Sequence, residues 1–287
     1  MFSTVLVGLG LVLLVYPGLK LGIDFTGGTL MELKFSEAVE KDAVEQSLLS
    51  FSSTQEAGLG QPYILRTADG GYIIRIKDIS HEQHIALQSF LTEQLGSFTE
   101  QRFMTIGPTV GKSLKVRSIW AFFVATVVMV LYIAFAFRNI PRKLNPWKFG
   151  LIAVIALLHD IVITLGIFII IGQFTSFEVN TLFITALLII LGYSVNDTIV
   201  VFDRVRENVF NQERQDSFEV VAERGLQQSI ARSINTSLST LIPLFALYLF
   251  GAESIRWFVL TLIVGLAIGT YSSLFLATPL LVIWRKK

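Results

Sequence analysis

Residues 149–172, FGLIAVIALLHDIVITLGIFIIIG, form an apolar stretch with a histidine and an aspartate at its centre. A helix of about 20 mostly apolar residues is long enough to cross the hydrocarbon core of a bilayer. Ionisable side chains are costly in that environment and mostly mark functional sites there. The stretch therefore predicts a membrane-spanning helix with His159 and Asp160 near its midplane.

The whole chain has the composition of a membrane protein. Of its 287 residues, 53% are hydrophobic and 16% are charged, whereas soluble domains have about 25% charged residues. The net charge of +1 gives no overall field for nucleic acid, and the lack of cysteine excludes disulfides and thiol chemistry. Six stretches are apolar enough to span a bilayer: Phe2–Leu19, Ile119–Phe137, Phe149–Gly172, Thr181–Phe202, Ser233–Phe250 and Trp257–Trp284.

Basic residues in the short loops predict the orientation, because loops rich in lysine and arginine stay in the cytoplasm. These residues are Arg138, Arg142, Lys143, Lys148 and the terminal run Arg285-Lys286-Lys287. We therefore expect both termini in the cytoplasm. Residues 1–19 would form transmembrane helix 1, residues 20–117 an outside domain with its junction, and residues 118–287 transmembrane helices 2–6.

The outside segment has a pattern of its own. Two predicted helices are Glu37–Phe51 and His81–Leu95, and the predicted strands are Thr29–Phe35, Pro62–Thr67, Tyr72–Lys77 and Thr99–Ile106. A tight turn at Asp69-Gly70-Gly71 joins the two middle strands. The order β-α-β-β-α-β is that of the split βαβ in ferredoxin-like domains. The fold class we expect is a polytopic α-helical membrane protein with six transmembrane helices and a ferredoxin-like α+β domain between helices 1 and 2.

Two further segments have periodic features. Residues 203–232 combine mixed charges with an apolar patch at Phe218–Val221, which predicts an amphipathic helix along the membrane surface. Gly265 and Gly269 form a G-x-x-x-G pattern in the sixth span, which is typical of close helix packing.

The stretch GPTVGKS at 107–113 resembles the end of a phosphate-binding loop. Such a loop needs four residues between its glycines, whereas three separate Gly107 from Gly111. The stretch also falls outside the membrane, where ATP is scarce. We therefore interpret it as the junction between the last predicted strand and the second span. The stretch also resembles the domain-to-span junction of the family named below, which implies that glycine and proline set a turn there and that Lys112 faces the outer headgroups.

Two aspartates are predicted inside spans, Asp160 in the third and Asp197 in the fourth, with Asn196 beside Asp197. A carboxylate in a low-dielectric environment holds a proton more readily, and a nearby arginine favours its release. Arg232, at the cytoplasmic start of the fifth span, is within reach of the depth of Asp197. The functional hypothesis is proton transfer, and the alternative is that the carboxylates only hold the helices together.

Other site hypotheses are weaker. An intramembrane aspartyl protease would use Asp160 and Asp197 as a dyad, but the Gly-x-Gly-Asp pattern is absent, since Gly192 is five residues before Asp197. A metal at His81 and His84 lacks an evident third ligand. We therefore expect no enzyme activity, no metal and no cofactor, with protons as the coupling ion.

Four stretches occur in an order similar to that of a known family. They are LGIDFTGG at 21–28, GPTVG at 107–111, the pair His159-Asp160, and GYSVNDTIVVFDRVREN at 192–208. Together they resemble the SecF proteins of the SecD/SecF protein-export family, in the resistance-nodulation-division superfamily. The motif residues carried over are Gly22, Asp24, Phe25, Gly27, Gly28, Gly107, Gly111, Asp203 and Arg204.

The resemblance implies a role in bacterial protein export. It implies a location in the inner membrane with the large loop in the periplasm. A complex with SecD would use the proton motive force to assist preprotein translocation at a late, SecA-independent stage. Implied partners are SecD, the SecYEG channel, SecA, YajC, YidC, translocating preproteins and membrane lipid, without nucleic acid. The proton-linked aspartate and arginine of the family fall on Asp197 and Arg232.

A small-molecule or lipid exporter of the same superfamily is the alternative function. It would require a second six-span repeat or a much larger outside domain with a cleft for the substrate. This chain has neither.

Overall fold

The computed structural model describes residues 2–54, 58–67, 70–138, 146–210 and 216–285. The chain divides into a mixed unit, Leu21–Ser118, and a helical unit, Met1–Lys20 with Ile119–Lys287. The strands are β1 (Gly28–Phe35), β2 (Tyr63–Arg66), β3 (Tyr72–Ile76) and β4 (Phe98–Ile106). The helices are α1 (Phe2–Val15), α2 (Ile23–Thr26), α3 (Lys41–Thr54), α4 (His81–Leu95), α5 (Pro108–Ala136), α6 (Pro146–Phe174), α7 (Thr181–Phe210), α8 (Phe218–Phe250), α9 (Arg256–Ser272) and α10 (Thr278–Arg285).

The mixed unit contains one antiparallel sheet with the strand order β2-β3-β1-β4. Alternate residues of the central strand, Met31 and Leu33, are buried against α3 and α4, because successive side chains of a strand point to opposite faces. The predicted order of strands and helices is therefore present. The turn between β2 and β3 is closed by Thr67, whose N–H lies 2.9 Å from the oxygen of Gly71; Asp69 lies outside the described residues.

Five helical stretches of the described chain are long and apolar enough to cross a membrane: α5, α6, α7, α8 and the continuous stretch Glu253–Trp284, which contains α9 and most of α10. The first predicted span, Phe2–Leu19, is present only as the 14-residue helix α1. The helix ends at Val15, just ahead of Tyr16 and Pro17. Proline lacks an N–H donor and disfavours helical geometry in the residue before it, which accounts for this end.

The prediction of a surface helix over 203–232 is wrong. Helix α7 continues to Phe210 and α8 already begins at Phe218, so most of this segment extends two long helices. Phe218 and Val221 are buried in the protein. A Cβ on Gly225 would lie 3.0 Å from the Cα of Val205, so a glycine is needed there for α8 to approach α7. The apolar face of this segment packs against protein, which gives the same sequence periodicity as packing against lipid.

The junction also differs from its prediction. Helix α5 begins at Pro108, so only Gly107 of GPTVGKS precedes the helix and Gly111, Lys112 and Ser113 lie within it. Proline is well suited to the first helical position because its missing N–H would have no partner there.

Glycines bring helices of the helical unit close together. A Cβ on Gly265 would overlap the side chain of Ile190, and one on Gly269 would lie 3.1 Å from the Cβ of Ser194. The G-x-x-x-G pattern therefore packs α9 against α7, as predicted. Gly10 of α1 and Gly166 of α6 make a similar contact, since a Cβ on Gly166 would lie 3.0 Å from the Cα of Gly10.

The sixth predicted span is not one regular helix. Helix α9 passes at Ser272 into a π-helical turn, Ser273–Ala277, which leads into α10. Single π turns inside helices are rare and occur frequently at functional sites.

Candidate functional site

Asp160 lies midway along α6 and is almost fully buried, with 1% of its surface exposed. Its Oδ2 accepts hydrogen bonds from Ser194 Oγ of α7 at 2.5 Å and from Ser272 Oγ of α9 at 2.7 Å. Its Oδ1 lies 2.9 Å from Nδ1 of His159. Three helices thus supply the polar partners of one carboxylate in an otherwise apolar core.

Asp197 lies on α7, one turn beyond Ser194, and is also buried. Its Oδ1 accepts a hydrogen bond from Ser233 Oγ of α8 at 2.7 Å, and its Oδ2 accepts one from Ser273 Oγ. The hydroxyl contacts continue beyond Ser233. Ser237, one turn along α8, lies 2.6 Å from the hydroxyl of Thr270 and 3.1 Å from that of Tyr193.

The two carboxylates have partners on adjacent residues of the sixth span, Ser272 and Ser273. Burying an ionised carboxylate is costly unless it is paired and hydrogen-bonded. Hydroxyl groups lower this cost without adding a charge, and they can also accept a hydrogen bond when the carboxyl is protonated. The site can therefore accommodate both protonation states of each aspartate.

His159 is buried beside Asp160, and its ring stacks on Tyr271 with centroids 6.4 Å apart. Its Nε2 has no hydrogen-bond partner among the described residues. In a neutral imidazole with its proton on Nδ1, that N–H would donate a hydrogen bond to Asp160, and Nε2 would be left as an unpaired acceptor.

The structure does not bring Arg232 or Asn196 into this site. Both side chains are exposed on the surface of the helical unit, although each is next in sequence to a residue of the site, Ser233 and Asp197 respectively. In the described part of the chain no ion pair joins Arg232 to Asp197.

The glycines of the predicted family motifs pack together within the mixed unit. A Cβ on Gly27 would lie 2.9 Å from the Cα of Pro108, and one on Gly111 would lie 2.9 Å from the nitrogen of Gly27. Gly28 has φ of +124°, and its Cβ would lie 2.8 Å from the oxygen of Ile76. Gly22 is the residue before the short helix α2, which carries half-buried Asp24 and buried Phe25. The LGIDFTGG and GPTVG stretches thus meet through Gly27 and Gly111, which explains these two glycines structurally, whereas a Cβ on Gly107 would meet no atom within 4 Å.

The remaining motif residues lie at the end of α7. Asp203 and Arg204 are exposed and pair with Arg206 at 2.8 Å and Glu207 at 2.6 Å respectively. Exposed ion pairs three residues apart on a helix contribute little to stability. Neither residue contacts Asp160 or Asp197 through a described hydrogen bond or ion pair.

The weaker hypotheses gain no support from the geometry. The N–H of Gly111 bonds the oxygen of Gly107 at 3.1 Å inside the helix, so it is not available to a phosphate. No group of three potential metal ligands occurs in the described residues, and His84 instead bonds Glu100 at 3.0 Å. The described contacts of Asp160 and Asp197 are with hydroxyls and His159, not with each other as a protease dyad requires.

The sequence predicts both aspartates as site residues but not the four serines that contact them, Ser194, Ser233, Ser272 and Ser273. Serine in a helix commonly bonds a carbonyl of the preceding turn, so an isolated serine in a span is a weak signal. The stronger signal is the consecutive polar run Thr270-Tyr271-Ser272-Ser273 in the middle of an apolar span.

Comparison with known proteins gives consistent matches. The family model described as "Protein export membrane protein SecD/SecF, C-terminal" matches residues 86–287, and the "SecD/SecF GG Motif" model matches residues 12–39. The protein translocase subunit SecF of Thermobaculum terrenum is 39% identical over 290 residues, covering 97% of this chain and 88% of the relative. That of Sebaldella termitidis is 35% identical, covering 99% and 88%.

A solved structure is similar over the same range. The crystal structure of SecDF, a translocon-associated membrane protein from Thermus thermophilus, matches with a TM-score of 0.82 and 30% identity. The match covers 99% of this chain and 37% of that chain. The chain therefore corresponds to somewhat more than one third of that longer protein.

Proposed function

The chain belongs to the SecD/SecF family of protein-export membrane proteins, as a SecF subunit of the protein translocase, and we propose that it couples proton movement to export. It is a multi-pass membrane protein, and its relatives are named for transport rather than for catalysis. The observation that carries the proposal is the pair of buried aspartates, each hydrogen-bonded by neutral hydroxyls, inside helices apolar enough to cross a membrane. No cofactor is required besides the protons.

Protons would bind at Asp197 and Asp160. The hydroxyls of Ser233 and Ser273 stabilise an ionised Asp197 and can turn to accept from a protonated one. Arg232, exposed beside Ser233, would approach Asp197 in another state of the cycle and favour release of its proton. Asn196, exposed on α7 next to Asp197, would line the route of the proton to the surface.

The proposal includes a sixth span and an outside domain. Helix α1 packs on α6 through Gly10 and Gly166, and Lys20 donates to the oxygen of Gly172 at 2.6 Å. These contacts support α1 as a membrane helix despite its short length. The mixed unit, with its β2-β3-β1-β4 sheet, would be a ferredoxin-like periplasmic domain.

The positions of charge support the orientation. Arg138 and Lys148 flank a loop whose other two basic residues, Arg142 and Lys143, lie outside the described residues. Placing this loop and both termini in the cytoplasm puts the mixed unit on the outer side of a bacterial inner membrane.

Exposed apolar helix faces support a partner within the membrane. Only 6% of an 18-residue apolar stretch of α5, and 11% of one of α8, are buried against the described residues of this chain. We propose that SecD covers part of these faces and that the complex works with the SecYEG channel after the SecA-driven stage, together with YajC and YidC. Its substrate would be a preprotein emerging on the outer side.

The test is preprotein export into inverted membrane vesicles, with SecD present and with a proton gradient imposed or dissipated. Vesicles that contain the chain should complete export faster with the gradient than without it. Arg232→Ala should lose most of this response because Asp197 would retain its proton, whereas Asp197→Glu should keep part of it. A response to the gradient that is equal in vesicles with and without the chain would refute the proposal.

A further inference from the structure

We propose that Ser272 and Ser273 act as two hydroxyl switches that couple protonation of Asp160 and Asp197 to the winding of the sixth span. The inference rests on the proposed function, since it assumes that both aspartates bind protons. The two serines would be positioning residues, because they act through the carboxylates that they contact.

Each serine has two acceptors within reach. Ser272 Oγ lies 2.7 Å from Oδ2 of Asp160 and 3.1 Å from the oxygen of Gly269. Ser273 Oγ bonds Oδ2 of Asp197 and lies 3.0 Å from the oxygen of Thr270. A hydroxyl has one hydrogen to donate, so each serine donates either to its carboxylate or to its own helix.

Protonation of the carboxyl determines which acceptor is used. An ionised carboxylate can only accept, so the serine donates to it. Once the carboxyl takes up a proton, its new O–H can donate to the serine oxygen. The serine hydroxyl then turns to the helix carbonyl, and every donor keeps an acceptor.

The second acceptors lie where the helix changes form. The N–H of Ser273 bonds the oxygens of both Gly269 and Thr270 at the last turn of α9, and the π-helical turn Ser273–Ala277 follows at once. Serine hydroxyls that bond carbonyls of the preceding turn compete with the backbone and bend helices. Proton uptake at either aspartate would therefore add a competing donor at the turn where α-helix passes into π-helix.

Among the described residues, few other groups near the two aspartates could produce the same effect. Beside Asp160 the titratable groups are His159 on its own helix and Tyr271 next to that ring, while α7 and α9 contribute Ser194 and Ser272. At Asp197, α8 contributes Ser233, with Arg232 exposed next to it, and the sixth span contributes Ser273. In the described part of the chain, Tyr193 donates a hydrogen bond to Ser237 and none to Asp197.

The test is infrared difference spectroscopy of the full chain in lipid vesicles, in which protonated carboxyls are titrated through their C=O stretching bands. The band that Asp160→Asn removes belongs to Asp160, and the band that Asp197→Asn removes belongs to Asp197. Ser272→Ala should move the titration midpoint of the first band, and Ser273→Ala that of the second, by about one pH unit towards higher pH. Each shift arises because an ionised carboxylate has lost a donor.

Ser229→Ala is the matched control, since Ser229 is also buried but, among the described residues, donates to the oxygen of Gly225 at 2.8 Å and to no carboxylate. It should move neither band, and Ser273→Thr, which keeps the hydroxyl, should restore the second midpoint. Midpoints in Ser272→Ala and Ser273→Ala that match those in Ser229→Ala would overturn the switch. Carboxyls that never titrate would overturn both this inference and the proposed function. If the titration midpoints shift as expected but preprotein export does not respond to the proton gradient, the proposed function alone would be overturned.

Discussion

Replacing Gly28 with alanine should destabilise the mixed unit more than the addition of one methyl group would suggest. The φ of +124° lies where side chains are rarely found, at a cost of about 1–3 kcal/mol. The new Cβ would also lie 2.8 Å from the oxygen of Ile76, a backbone atom of the neighbouring strand that cannot rotate away. Overpacking of this kind costs about 1–3 kcal/mol. The free energy of unfolding should therefore fall by about 2–6 kcal/mol, a large part of the roughly 5–15 kcal/mol typical of a domain.

Substitutions at two other glycines separate the cost of the positive φ from the cost of the close contact with Ile76. Gly96 has φ of +86° and open space where the methyl group of an alanine would lie, so Gly96→Ala should cost only about 1 kcal/mol. Gly107 has open space and no positive φ, so Gly107→Ala should be nearly neutral. The assay is amide hydrogen exchange of β1 and β3 in the full chain, which reports the free energy of opening. Protection in Gly28→Ala equal to that in Gly96→Ala would refute the close contact with Ile76.

Three more predictions follow from the packing. Residues 20–110 expressed alone should fold, because the mixed unit has its own buried core; disordered circular dichroism and unprotected amides would contradict this. Gly269→Val should weaken the packing of α9 on α7, since even a Cβ there would lie 3.1 Å from the Cβ of Ser194. Thermal unfolding in detergent should therefore give a lower Tm for Gly269→Val than for the control Gly8→Val, because a Cβ at Gly8 would meet no atom within 4 Å. Cysteine pairs placed on the exposed faces of α5 or α8 and on SecD should crosslink in membranes, and failure across a full scan of both helices would count against the proposed partner surface.

Much of the fold follows from local patterns in the sequence. The strand Thr29–Phe35 was predictable because its alternating side chains face a buried and an open side, and the structure begins β1 only one residue earlier. The ends of α7 and α8 were not predictable. Phe218 and Val221 have the same periodicity whether they face lipid or protein, and only the approach of Gly225 to Val205 decides between the two.

The site was predictable in part for a similar reason. An aspartate in an apolar span is conspicuous, so Asp160 and Asp197 could be found from the sequence alone. The serine partners come from helices distant in sequence, and an isolated serine such as Ser233 looks like any serine bonded to its own helix. Ser272 and Ser273 stand in a polar run within an apolar span, but that run does not say which carboxylate each serine meets. Whether Arg232 meets Asp197 depends on the arrangement of helices, and in this structure its side chain is exposed.

The most direct test of proton coupling is the ratio of preprotein export with and without a proton gradient in vesicles carrying Asp197→Asn. This substitution keeps the size of the side chain and can keep the hydrogen bond from Ser233, but it removes titration. Asp216→Asn is the matched control, because Asp216 lies outside the site and pairs with Arg224 at 3.3 Å. We predict that Asp197→Asn assembles with SecD but lowers the ratio to that of vesicles without the chain, while Asp216→Asn keeps the wild-type ratio. A wild-type ratio in Asp197→Asn would show that Asp197 only packs the helices and would contradict the proton-coupling mechanism.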